Sequence, residues 1–487
     1  MHILMKKNSL YIIALASLTM FSCKDFLDVA PTNSIEASTS IQTVEDAQVM
    51  INGLNRKLTA ATLYGRNMLL YADAKGGDLT IVSQGRGLDA LYVFNHTRDN
   101  NSYGDFWKNG YNAILQANNI ITNIDKLKAE GNSSNFDVPY GQALTLRAML
   151  YFDLLRLYGK TYTQDAKSLG VPITTEPLPD NARVLRNTVE EGYKQILTDL
   201  EAAAPLLPKA RNNGYINYYA NKAILSRVYL TMGNFDKAYE TAEEIINSKV
   251  YSLYSNADWV SSWNKQHGSE SIFELIMMKD QGDLGSGSLG FYYLRSKDAN
   301  ALGNFTASDY FLTRLGQDAE DVRWGIYTTD ELDRKAASYK YVGTIDRKGD
   351  GKEPYTAVNI KLIRLSEIYL TAAEAALKKS GANPAKAAEY LNLIRQRSPN
   401  LAEATSATVT EQMILDEKSK ELYGEGHRFW DMIRTNKTIT FNDEHVGVTM
   451  NHREKTINRT FNKTILPIPQ DEINANPGLA AQQNPGY

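Results

Sequence analysis

NYYANKAILSRVYLTMGNFDKAYETAEEIINS, residues 217–248, is the stretch whose reading decides the fold. It reads as a helix, a tight turn at Gly233 and a second helix. The small side chains of Ala238 and Ala242 let the two antiparallel helices approach closely. A similar pair is predicted downstream, KLIRLSEIYLTAAEAALKKSG at 361–381 and NPAKAAEYLNLIRQRS at 383–398.

Working outward, the segment Gly233-Asn-Phe-Asp-Lys-Ala238 resembles the turn of a tetratricopeptide repeat. Trp107, Tyr111, Ile114, Asn118, Ile121 and Ile124 follow helical spacing and give one apolar stripe. A further helix is predicted over 138–158, ending at Gly159, and another behind the capping box Thr188-Val-Glu-Glu191. A small residue three positions before a tyrosine recurs at Ala148/Tyr151, Ser226/Tyr229 and Ser366/Tyr369. Its spacing is irregular, so the fold class is mainly α: a tetratricopeptide-like helical-hairpin scaffold broken by long loop and short-strand insertions. The insertions span about 66–106 and 250–356. They are rich in Gly, Asn, Asp, Ser and aromatics, with short strand-like runs such as SIFELIMMK at 271–279. Loops of that length in a compact domain are functional or disordered, and the aromatics argue against disorder.

Composition excludes several classes. Net charge is -3 and basic blocks are short, which argues against nucleic acid as a partner. A single cysteine forbids an intrachain disulfide and a thiolate metal cluster, and the six histidines form no HExxH. Tyrosine outnumbers phenylalanine 29 to 14, which suits helix seams and half-wet binding surfaces equally. Gly285-Ser-Gly287-Ser-Leu-Gly290 matches GxGxxG as a string but lacks a strand–helix frame. Asp346-Arg-Lys-Gly-Asp350-Gly351 lacks calcium ligands at its third and twelfth positions, Lys348 and Ala357, and reads as a Gly-rich hairpin turn. No cofactor or metal site is expected and no coherent catalytic motif is present, while the 56 acidic residues leave a pair of facing carboxylates open.

At the N-terminus, Lys6 and Lys7 precede an apolar run from Leu10 to Phe21, too short to span a bilayer. The one cysteine, Cys23, follows directly after Ser22. This resembles a bacterial lipoprotein signal, with residues 1–22 removed, Cys23 acylated and 23–40 left as a lipidated tether. Residues 41–487 then form a single domain.

DEKSKELYGEGHRFWDMIRTNK, residues 416–437, resembles the signature helix pair of the SusD/RagB family of surface lipoproteins through Glu417, Glu421, Leu422, Glu425, Gly426, Arg428, Trp430, Asp431 and Arg434. The tail TILPIPQDEINANPGLAAQQNPGY (464–487) is similar to the closing pattern of that family. GQALTLRAMLYFDLLRLYGKTY with GVPITTEPLP (170–179) is similar to its first helix and the extended segment after it. Glu417, Glu421 and Glu425, at helical i, i+4 spacing, are expected to be held by Arg428 and Arg434 as scaffold. The LPIP prolines are expected to fix an extended strap.

The resemblance implies an outer-membrane protein exposed at the cell surface through a lipid anchor. It implies binding of oligosaccharide or peptide nutrients, no enzyme activity, and a SusC-like TonB-dependent transporter as partner, over which the protein acts as a hinged lid. In the family the ligand face is built from insertions, which points here to 71–96 and 284–324. Candidates for stacking are Tyr92, Tyr292 and Trp324; candidates for hydrogen bonding are Asp73, Asp78 and Arg86. Trp107, Trp259 and Trp263 are assigned to core. The competing readings are a surface-anchored glycoside hydrolase and a structural adhesin.

Overall fold

The computed structural model describes residues 41–82, 88–99, 105–179, 181–297, 301–331, 333, 335–444 and 451–487. The expected signal (1–22), the tether (23–40) with Cys23, and Arg86 lie outside the described residues. Among the described residues no helix is long and apolar enough to cross a membrane.

The 217–248 stretch folds as its local chemistry directs. The Asn217 side chain accepts the Ala220 N–H at 2.9 Å and opens the Tyr218–Met232 helix. Gly233 closes it in the left-handed conformation, φ 74°. Asn234 at once caps the Phe235–Ser248 helix by accepting the Lys237 N–H. Ala238, Thr241, Ala242 and Ile245 form the buried face of that helix. It packs between Tyr218–Met232 and Leu365–Lys378, and the latter packs in turn on Pro384–Arg395.

The other half of the scaffold is continuous with this one. Val44–Leu58 rests on Phe106–Ala129, which packs on Asp137–Tyr158, which packs on Val189–Ala203. Thr188 and Glu191 form the expected capping box. Asp137–Tyr158 is buried nearly all round because it has neighbours on both flanks. Leu146, Leu150 and Leu154 on it are enclosed, each stabilising the fold by roughly 1.5–3 kcal/mol relative to exposure. The protein is mainly α, with helical hairpins stacked in chain order.

Several boundaries differ from expectation. The opening of 361–381 is a strand: Ile360–Arg364 pairs antiparallel with Ser271–Leu275, and the helix begins at Leu365. A short apolar run with no cap before it satisfies either periodicity, and a pairing partner more than eighty residues upstream decided between them. The Gly285–Gly287 segment is one 3-10 turn followed by the short Gly290–Tyr293 helix. Around Asp346–Gly351 the chain turns repeatedly without flanking strands, so it is a loop and not a hairpin. The LPIP segment is extended, with the Leu466 N–H donating to Leu157 O at 2.7 Å, across the end of the Asp137–Tyr158 helix.

Candidate functional site

The two insertions meet. The Asn67–Lys75 helix ends in a Gly76–Gly77 turn, Asp78 follows, and the strand Leu79–Ile81 pairs antiparallel with Phe305–Ala307, with Leu79 opposite Ala307. Ser308 accepts the Phe311 N–H to start the Asp309–Leu315 helix and donates its hydroxyl to Gly77 O at 2.7 Å. Both glycines are required here. A Cβ on Gly76 would stand 2.6 Å from Arg428 Cβ, and Gly77 has φ 84° with Thr440 O where a Cβ would go. The insertions are thereby joined to each other and seated on the C-terminal motif.

The six sequence candidates separate. Asp73 is buried and accepts the Gly426 N–H at 3.0 Å and the Tyr293 hydroxyl at 3.2 Å. Burial outweighs these bonds and pushes its carboxyl up to about 8. Asp78 is buried too, held by Arg314 and by the Ser419 hydroxyl at 2.6 Å, and it borders a cleft described below. Two stacking expectations need correction. Tyr92 is 0% exposed; its hydroxyl donates to Asn442 O, and the Arg453 guanidinium lies 4.9 Å from its ring centroid. Tyr292 is 1% exposed, with Arg66 4.8 Å from its ring centroid. Neither has a free face for a sugar, because side chains distant in sequence cover both. Trp324 is half-buried; its indole N–H donates to Asp318 O at 3.2 Å and its ring meets Tyr327 edge-on. Trp259 and Trp263 are fully enclosed, and Trp107 is 3% exposed, as assigned.

Where the insertions join, a cleft of about 470 Å³ opens, bordered by Thr80, Thr306, Asp309, Leu312, Lys335 and Asn442. The Asn442 side chain accepts the Asp309 N–H at 3.2 Å, and its backbone carbonyl takes the hydroxyls of Thr80 (2.8 Å) and Tyr92 (3.1 Å). The lining thus combines apolar surface from Val82, Ala307 and Leu312 with hydroxyl, amide and charged groups on a fixed frame, a pairing that suits a sugar's apolar face and hydroxyl rim. Asn442 was not among the candidates, since it lies in the C-terminal region and reaches the insertions only in space.

The signature motif is scaffold, held otherwise than expected. The Glu411–Glu421 helix ends before Glu425, and Gly424 and Gly426, both at positive φ, reverse the chain. The three glutamates are held not by Arg428 and Arg434 but by arginines from elsewhere. Arg364 bridges Glu270 (2.9 Å), Glu421 (3.0 Å) and Glu425 (2.7 Å). Arg323 takes Glu417 at 2.7 Å, and Arg397 takes Glu270 at 3.0 Å. Burial would raise the Glu421 carboxyl, but Arg364, Arg397 and Arg323 outweigh it and hold it at about 2. Arg434 instead clasps Glu374 through two bonds of 2.6 Å, and Arg428 turns to Asp78. Among the described residues no group of His, Cys, Asp and Glu is placed to hold a metal.

Comparison with known proteins agrees with this architecture. A family profile described as the SusD family matches residues 210–487, and one described as "Starch-binding associating with outer membrane" matches 25–230. A SusD superfamily protein of Bacteroides thetaiotaomicron is 33% identical, with TM-score 0.82 over 91% of this chain and 100% of that one. A putative sugar binding protein of Bacteroides vulgatus is 34% identical, with TM-score 0.80 over 92% and 100%. SusD-like protein P2 of Formosa agariphila is 26% identical over 99% of this chain and 100% of that protein. The chain belongs to the SusD/RagB family.

Proposed function

We propose that this protein captures an oligosaccharide at the outer face of the outer membrane, without hydrolysing it. It then passes the ligand to a SusC-like TonB-dependent transporter, acting as its hinged lid. Cys23 carries the lipid anchor, residues 23–40 are the tether, and 41–487 form one binding domain. The observation that carries this reading is the cleft at the seam of the two insertions, part apolar and part polar, held by the Leu79–Ile81/Phe305–Ala307 pairing. The starch-binding description of the matching family profile and the sugar-binding relative support a glycan as ligand. Asp309 presents its carboxylate at the rim on the frame that Asn442 and Thr80 hold, Asp78 borders the neighbouring cleft, Trp324 offers the stacking surface, and Arg86 contributes from the first insertion.

Calorimetry on the chain starting at residue 24, against maltooligosaccharides, laminarin oligosaccharides and a peptide panel, with product analysis, tests this. Saturable glycan binding with unchanged glycan is expected. Released shorter sugars would establish a hydrolase, and absence of glycan binding would end the proposal. Fatty-acid labelling of the full chain against Cys23→Ser tests the anchor.

A further inference from the structure

A second cleft, of about 270 Å³, opens beside the first. Asp309 and Leu312 face the first cleft, while Tyr310 and Arg314, four residues apart and so on another face of the same helix, border the second. Likewise Thr80 and Asn442 border the first, Asp78 and Thr440 the second. The volume lies near the lower limit of ordinary small-molecule sites, about 300 Å³, and suits one sugar residue rather than a chain.

Its wall is unusually cationic. Arg314 and Arg428 share one carboxylate, Asp78, which also receives the Ser419 hydroxyl. Arg428 is 8% exposed; its Nη1 reaches Leu415 O at 3.2 Å, its Nε stands 3.4 Å from Asp78, and that Nε makes no hydrogen bond among the described residues. Burial and the facing Arg428 both pull the Arg314 guanidinium down, against the pull of Asp78. Lys437 adds a third cation at the rim, paired with Glu411 at 2.9 Å, and Glu411 is also matched by Lys378. Asp416, near Arg314, accepts from Gln412 at 2.9 Å. Tyr310, 38% exposed, stands at the mouth.

Arg314 Nε donates to the Ser419 hydroxyl at 3.2 Å and Arg428 Nη1 to Leu415 O, so among the described residues Arg314 Nη1 and Arg428 Nη2 are the donors left for a second anion, and the planar fork matches carboxylate and sulfate oxygens. We infer that this cleft is an anion subsite, taking the carboxylate or sulfate ester of an acidic sugar unit on Arg314 and Arg428 with its ring against Tyr310. The inference rests on the oligosaccharide-binding reading and narrows it to acidic glycans spanning both clefts. A neutral sugar would leave the shared charge unmatched.

The test is calorimetry on the chain from residue 24 with two matched pairs: oligogalacturonide against its methyl ester, and a carrageenan oligosaccharide against its desulfated form. At least one acidic member should bind about tenfold tighter than its neutral partner, with the gap narrowing as salt rises. The pair that shows the gap tells carboxylate from sulfate. Arg314→Gln should abolish the gap between the acidic and neutral members. If Arg314→Gln does not fold, Lys437→Gln, at the half-buried rim, should still narrow the gap about threefold; an unchanged gap overturns the subsite. Equal binding of acidic and neutral members by the wild type overturns the anion subsite while leaving oligosaccharide capture intact. No binding of any glycan overturns both.

Discussion

Asp73 accepts the backbone N–H of Gly426 at 3.0 Å, so the start of the first insertion is tied to the turn between the two signature helices. The same carboxyl oxygen takes the Tyr293 hydroxyl from the second insertion. Three segments far apart in sequence converge on one buried acid.

That acid sets a pH dependence. Its folded pKa of about 8 lies above its unfolded value of 3.8, chiefly through burial. Its contribution to stability is therefore complete below pH 4 and is lost as pH rises towards 8. Asp73→Asn keeps the acceptor and cannot ionise. Urea unfolding at pH 5, 6.5 and 8 should show the variant gaining on wild type by up to about 1.4 kcal/mol per pH unit. A difference that stays constant across this range would mean the carboxyl is already ionised in the fold.

Lys75 gives a slope of opposite sign. It is fully buried, bonded to the Tyr71 hydroxyl at 3.0 Å and to His96 Nε2 at 2.6 Å, against the Phe94 ring, with no carboxylate paired to it among the described residues. Burial, helped by Lys463, holds its amine well below 10.5. The unfolded chain binds the proton that the folded one lacks, so Lys75 favours folding progressively more as pH climbs towards 10.5. Between pH 8.5 and 10, wild type should gain on Lys75→Met by up to about 1.4 kcal/mol per unit in chemical denaturation. Parallel stability curves would refute a neutral Lys75.

The charged core predicts a large loss. Arg364 is 2% exposed and bonds Glu270, Glu421 and Glu425 at once. Arg364→Met leaves these carboxylates short of their main partner, although Arg397, Arg323 and Lys340 remain near. Breaking a buried ion pair from one side costs about 3–5 kcal/mol. A denaturation midpoint close to wild type would show that the network is redundant.

The scaffold was legible where its signals are local. Gly233 with Asn234, and Thr188 with Glu191, announce helix ends within four residues, so the hairpins could be placed from sequence. Arg364, Arg323 and Arg397 could not be matched to Glu421, because they lie 57, 98 and 24 positions away on other elements. The same limit applies to the candidate site. Tyr92 and Tyr292 carry the side chain a sugar platform needs, but their burial is decided by Arg453 and Arg66, which no spacing rule connects to them. Asn442 went unnoticed for the converse reason: it resembles loop filler until the fold carries it to the Thr80 hydroxyl.

Asp309 and Tyr292 should therefore respond in opposite ways. Asp309 is exposed at the mouth of the larger cleft, and its backbone N–H donates to the Asn442 side chain that frames it. Asp309→Ala should change stability by less than about 0.5 kcal/mol, as an exposed substitution outside the core does. It should weaken glycan binding by more than about 1 kcal/mol if the rim carboxylate accepts sugar hydroxyls. Tyr292→Phe removes only a hydroxyl, 3.3 Å from Arg66 Nη1, from an enclosed ring. It should cost about 0.5–1.5 kcal/mol of stability and leave affinity where it was. Thermal unfolding and calorimetry on the same two samples decide the matter: if Tyr292→Phe impairs binding while Asp309→Ala does not, the ligand lies away from the seam of the insertions.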